Sequence, residues 1–300
     1  MNRYRVRHVT RYVYEAAVIH AHHICHLCPR QLDSQNMVTH ELAIDPVATI
    51  TRSGTDYFGN RVHLLEVLAE HQMLEVTSAS VVEVRDREPP SAPDCIAWDR
   101  AAEQLQSDRS LLSAVEFCFD SPMIRLHPTL AAYAEPTFPK GRALIEAVLE
   151  FNARIHGEFT YQTAATDVST PLAQVLREKR GVCQDFAHVA VGCLRSLGLA
   201  ARYVSGYLET RPPPDSPSLV GAAASHAWAS VYVPGFGWLD FDPTNNLLPG
   251  RSHVTMAWGR DFGDVSPLKG VVLGGSSHRV EVSVDVERVS GNAPTPAGQA

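Results

Sequence analysis

Gly181-Val182-Cys183-Gln184-Asp185-Phe186-Ala187-His188 decides how this chain is read. A glycine leads into a cysteine at the start of a stretch with helical period. Phe186, Val189, Ala190, Cys193, Leu194 and Leu197 fall on one apolar stripe, and Gly198 is placed to end it. The spacing predicts an amphipathic helix that opens at Cys183. A thiol at a helix N-terminus feels the positive end of the dipole, which favours thiolate over thiol. Asp185 falls in the first turn, where a carboxylate complements the dipole. His188 lies about 140° around the helix from Cys183 and cannot act as its base. His188 and Cys193 are expected to be structural.

Working outward, three β-like runs follow: Ala201–Leu208, His226–Val233 and Trp238–Asp242. A cysteine nucleophile needs a base and a group that fixes the base's tautomer. Ser225-His226-Ala227-Trp228 offers His226, and Asp240-Phe241-Asp242-Pro243-Thr244-Asn245 offers two carboxylates. Cys183, His226 and Asp242 would then be nucleophile, base and orienting acid, the chemistry of acyl transfer through a thioester. If Pro234–Gly237 form a plain turn, Val233 pairs with Trp238 and Asp242 falls opposite Ala229. That leaves an offset of roughly 10 Å from His226 along the strand. A bulge, strong twist or diagonal reach is required, and Asp242 ranks above Asp240. Between the first two runs, the long proline-rich loop 209–225 is expected to be a substrate-side lid or mobile.

The N-terminal side reads differently. Tyr4, Val6 and His8 alternate, with Tyr12 and Tyr14 beyond an interruption. Val18–Leu27, Leu42–Ile50, Val62–Leu68 and Glu75–Val84 follow, with a turn at Asp56–Asn60. These predict a β-rich domain over 1–85. Residues 86–97, with Pro89, Pro90 and Pro93, predict a linker. Helical pattern begins at Trp98 and is clearest at Leu144, Ala147, Val148 and Phe151. A loop through Phe159-Thr160-Tyr161 and a short helix near Pro171–Lys179 lead to Cys183. The core is expected over 98–289, followed by a disordered tail, 290–300.

The chain has 300 residues, a formal charge of −7 and a pI near 6.0. No basic stripe suggests nucleic acid. No apolar run marks a secretory signal or a membrane span, so the expected address is the cytoplasm and its six cysteines are expected to be reduced. His20-Ala21-His22-His23-Ile24-Cys25-His26-Leu27-Cys28 invites a metal reading. The strand period puts Cys25 and Cys28 on opposite faces. It spreads His20, His22, His26 and Cys28 over some 27 Å, too far for one ion. Neither metal nor cofactor is expected.

Together these blocks resemble the transglutaminase-like superfamily of cysteine enzymes, in its bacterial branch with an N-terminal β domain. The resemblance rests on Gly181–His188, Ala201–Tyr207, His226-Ala227-Trp228 and Gly237-Trp238 through Asn245. It extends to His8–Tyr12, Cys28-Pro29-Arg30, Phe58-Gly59-Asn60 and Gly259–Pro267. It implies an α+β fold with a papain-like core, in which a thiolate helix packs on an antiparallel sheet. It also implies that Cys183, His226 and Asp242 form the triad, with Tyr161 a candidate oxyanion donor. The expected substrate is a protein or peptide amide. Hydrolysis is expected ahead of amine transfer, with a non-catalytic peptide-binding module as a further alternative. The partner of the β domain is not specified by the sequence.

Overall fold

The computed structural model describes residues 1–89, 95–167, 170–210, 219–222 and 224–289. Part of the proline linker, the Arg211–Pro214 stretch of the long loop and the tail lie outside the described residues.

The N-terminal half is built around one long strand, β1 (Asn2–Cys25). The two β-like runs at its start are one strand, interrupted where the register slips between Val13 and Val18. There follow β2 (Gln35–Asp45), β3 (Ile50–Thr55), β4 (Arg61–Val67) and β5 (His71–Val84). The run expected over Leu42–Ile50 is broken at Asp45-Pro46, where proline cannot donate to a ladder. The sheet order is β2-β5-β1-β4-β3.

Helices then take over: α1 (Trp98–Ser107), α2 (Leu112–Val115), α3 (Pro128–Ala134) and α4 (Leu144–Glu158). Thr160–Tyr161, expected as loop, forms the short strand β6. After α5 (Leu172–Glu178) it pairs in parallel with β7 (Arg180–Gly181), directly before the thiol. Next comes α6 (Cys183–Ser196), opening at the residue its spacing indicates. Four strands form the second sheet: β8 (Ala201–Leu208), β9 (His226–Val233), β10 (Gly237–Phe241) and β11 (His253–Gly259), in the order β10-β9-β8-β11. All its pairings are antiparallel. Phe186, Val189, Ala190, Cys193 and Leu194 of α6 bury against Ala201, Ala229, Val231 and Phe241 of this sheet and against α4. This burial of apolar surface is what holds α6 flat on the sheet.

The chain then turns through α7 (Phe262–Val265) into β12 (Leu268–Gly274) and β13 (His278–Arg288). Both strands pair antiparallel with β1, so the last part of the stretch assigned to the core completes the N-terminal sheet instead. The two sheets share a core of Tyr4, Val6, Val82, Val84, Tyr207, Val254, Met256, Val284 and Val286. Polar contacts fix the seam. Tyr207 Oη lies 2.8 Å from His8 Nδ1. The Gln35 side chain pairs with both backbone groups of Thr255, accepting from its N–H and donating to its carbonyl (2.7 Å each). Arg30 stacks on Trp258 at 3.4 Å and donates to the Phe58 carbonyl and the Asn60 side chain. Arg30 and Asn60, from the two N-terminal blocks, thus dock β11.

Candidate active site

Cys183 is the first residue of α6 and is buried. The helix starts there because Asp185 folds back, accepting the Val182 N–H (2.8 Å) and the Thr166 hydroxyl (2.6 Å). Gly181 is required by that turn, since a Cβ on it would overlap the Asp185 carboxylate. Cys183 packs with Ala187, Tyr203, Ala227 and Ala257, and Tyr161 lies against the same group. Gln162 N–H donates to the Gly181 carbonyl (2.8 Å), pinning Tyr161 beside the helix start. Burial, and then the charge of Cys183, push the Tyr161 phenol above its ordinary pKa, so its O–H stays available as a donor.

His226 opens β9 and is buried, as is Asp242. His226 Nε2 donates to Asp242 Oδ2 at 2.8 Å. The observed hairpin differs from the plain register by one residue: Gly237, not Trp238, pairs with Val233. Gly237 holds φ +96°, open to glycine, and takes the first strand position. Phe241 then pairs with Ala229, which puts the next residue, Asp242, level with Trp228. Asp242 and His226 are therefore diagonal neighbours on one face, a separation that long side chains cross. Asp240 makes the same diagonal step to Trp228, accepting its indole N–H at 3.1 Å. Asp242 faces the histidine, and Asp240 serves the tryptophan.

The carboxylate of Asp242 is surrounded by donors. Its Oδ1 accepts from the Thr244 N–H (2.9 Å) and the Asn245 N–H (3.2 Å). Its Oδ2 also accepts from Asn245 Nδ2 (2.8 Å), and His253 Nε2 lies 3.3 Å away. Burial works against the charged form, but His226 and His253 outweigh it and hold Asp242 well below the usual carboxylate range. Burial likewise lowers His226. The Asp242 carboxylate first, then Cys183, overcome that and push it up to about 10. The other ring nitrogen, Nδ1, has no nitrogen or oxygen partner among the described residues and is left for the Cys183 side chain, which also raises the ring's pKa. Gly221 abuts it, where a Cβ would sit 2.7 Å from the nitrogen. This piece of the long loop is tied down, with Val220 N–H donating to Asn245 Oδ1 (2.8 Å).

The structure brings Cys183, His226, Asp242 and Tyr161 to one place. His253 and Asn245 were not assigned roles from the sequence. Asn245 sits in a block whose turn chemistry carries a signal, whereas His253 has no local one. His188 has a structural partner: its Nε2 accepts the Phe262 N–H (3.1 Å), and burial lowers it to about 4. Cys193 is buried in the α6 core, which pushes its thiol far up. All six cysteines are unpaired. At the histidine-rich strand, His20, His22 and Glu66 cluster at the surface, while His26 turns away to the Ser266 carbonyl (3.0 Å) and Cys28 is buried apart. Among the described residues no helix is long and apolar enough to cross a membrane.

Comparison with known proteins agrees with this architecture. Residues 4–83 match the bacterial transglutaminase-like N-terminal region and 131–243 the transglutaminase-like superfamily core. An uncharacterised protein of Mycobacterium tuberculosis is 39% identical over 97% of this chain and 95% of its own length. A Mycobacterium leprae protein is 32% identical over 97% of this chain and 100% of its own. A protein-glutamine gamma-glutamyltransferase of Pseudomonas aeruginosa is 32% identical over 40% of this chain and 17% of that protein. A solved candidate cysteine protease from Cytophaga hutchinsonii superposes with a TM-score of 0.73 at 20% identity, covering 98% of this chain and 92% of the other.

Proposed function

The chain belongs to the transglutaminase-like superfamily, and on that premise we propose that it is a cysteine acyl-transfer enzyme that cleaves amide bonds through a thioester, with hydrolysis as the outcome. The observation that carries this reading is the buried His226–Asp242 pair, whose carboxylate is locked by surrounding donors while Nδ1 of the ring is left for Cys183.

The Cys183 sulfur attacks the amide carbonyl carbon. The oxyanion that forms is met by the Cys183 N–H, free at the helix N-terminus, and by the Tyr161 hydroxyl. The C–N bond then breaks, and the His226 imidazolium gives its proton to the departing amine. A water gives a proton back to His226 and attacks the thioester, the C–S bond breaks, and a carboxylic acid leaves with Cys183 restored. Asp242 stays ionised throughout, fixing the ring and stabilising its charge. The protein or peptide substrate is inferred from the chemistry of the family.

Amine transfer is the second reading, favoured by the likeness to the Pseudomonas glutamyltransferase. There an amine takes the place of water at the thioester. The test is incubation with a casein digest, following ammonia and new amino termini, with dansylcadaverine as acceptor. Hydrolysis predicts release without dansyl incorporation, and amine transfer predicts incorporation. Cys183→Ala should abolish either while the fold persists, because it removes one buried sulfur. Undiminished turnover in Cys183→Ala would defeat both readings.

A further inference from the structure

On the face of the second sheet away from Cys183 lies a cavity of about 540 Å³ between the two sheets. Strand alternation puts the packing neighbours of Cys183 on the opposite face, while the cavity adjoins the His226–Asp242 pair through His253, which lines it and lies 3.3 Å from Asp242 Oδ2. Tyr203, Ala227 and Ala257 pack with Cys183, whereas their neighbours Arg202 and Trp258 line the cavity. The size falls within the range of small-molecule pockets.

Its distinctive feature is Arg202, which plays no part in the triad. Arg202 is 6% exposed, and its guanidinium is held face-on between Trp238 (4.2 Å) and Trp258 (3.6 Å). Arg30 covers the other side of Trp258. The faces of the guanidinium are therefore used by the fold, and its edge is not. Nε has no hydrogen-bond partner among the described residues. Asp240 acts on it through space and makes no hydrogen bond or ion pair with it among the described residues, where Ser230 lies between their strands. Arg202 pairs with Ser230 across one ladder and Ser230 with Asp240 across the next, two strand spacings or roughly 9.6 Å in all. The Ser230 hydroxyl is also buried without a partner. Leaving an in-plane donor unmet in a buried site is costly, and an acceptor brought to the guanidinium edge would offset that cost. Burial, partly offset by Asp240, lowers Arg202 to about 9, so it remains a cation at neutral pH.

The geometry points to a binding site for a small organic monocarboxylate, its carboxylate on the edge of Arg202 and its apolar body against Phe58, Phe117 and Leu248. A planar carboxylate matches the guanidinium fork. Asp33, Glu116 and Asp240 also line the cavity, which favours a single negative charge over a phosphate dianion. Of the other arginines that line the cavity, Arg87 is committed, donating to the carbonyls of Trp238 (2.9 Å) and Phe236 (3.1 Å), and Arg85 is exposed.

Phenylacetate, its neutral isostere phenylacetamide, and inorganic phosphate would be titrated into the full chain and followed by calorimetry. The site predicts saturable phenylacetate binding, at least about tenfold tighter than the amide, with phosphate weaker than phenylacetate. Arg202→Gln should remove the preference for the acid, while Asp240→Asn, which relieves a competing charge, should tighten phenylacetate several-fold. Should Arg202→Gln fail to fold, the opposite sign expected of Asp240→Asn decides the matter. Cys183→Ala should bind phenylacetate as the wild type does, which separates this site from the acyl-transfer reading. Equal binding of acid and amide, no saturable phenylacetate binding, binding of phosphate alone, or an unchanged affinity in Asp240→Asn would overturn the proposal.

Discussion

At the scale of single residues, the site is organised by the charge pair His226–Asp242. A histidine raised to about 10 from an ordinary 6.5 stabilises the fold through its protonated form. That contribution is complete below pH 6.5 and is lost as pH rises through about 10. A carboxylate held low contributes above the ordinary carboxylate range and loses that contribution in acid. Asp242→Asn should therefore cost about 3–5 kcal/mol near pH 6, the cost of breaking a buried pair, and progressively less toward pH 10. Urea unfolding of both proteins across pH measures this, and a difference that stays flat from pH 6.5 to 10 would speak against a charged pair. The place of Cys183 at a helix start and the meeting of His226 with Asp242 were legible because each residue sits in a short block with a distinct pattern. His253 was not, because its partner Asp242 is reached only through the fold.

At the scale of elements, the start of α6 was readable to the residue, since its apolar stripe and preceding glycine are local signals. The hairpin register was not, because Gly237 joins the strand with a positive φ and moves every pairing by one. That slip is what lets Asp240 and Asp242 each reach diagonally to a separate partner. The other glycine with a demand on it is Gly181. Gly181→Ala should displace Asp185 from the Val182 N–H and cost about 1 kcal/mol, the value of a lost helix cap. It should also slow Cys183 chemistry, because the helix start moves with it. Thermal unfolding and the alkylation rate of Cys183 check this together, and an unchanged alkylation rate would show that the cap does not set the position of the thiol.

At the scale of the whole molecule, the chain returns on itself. Leu268–Arg288 adds two strands to a sheet begun at Asn2, and nothing in a local stretch announces a pairing of Tyr4 with Arg288. The β-rich character of the N-terminal half could be read from alternation, but its closing strands could not. The seam between the sheets holds His8, which burial lowers to about 4, as it does His23, His40 and His188. For a histidine lowered in the fold, the unfolded chain binds more protons between about pH 4 and 6.5, so stability falls as pH drops through that window. The melting temperature should decline steadily from pH 6.5 to 4. His8→Phe should flatten part of that decline, and a melting temperature independent of pH over this range would contradict the burial of neutral imidazoles.

Activation of Cys183 by His226 can be tested without a substrate. Iodoacetamide labelling of Cys183, followed by peptide mass spectrometry across pH in wild type and His226→Ala, reads the thiol directly. Wild-type Cys183 should label fast at pH 6, far ahead of the other cysteines, and lose that advantage in His226→Ala. Slow labelling at pH 6 that His226→Ala leaves unchanged would contradict that activation.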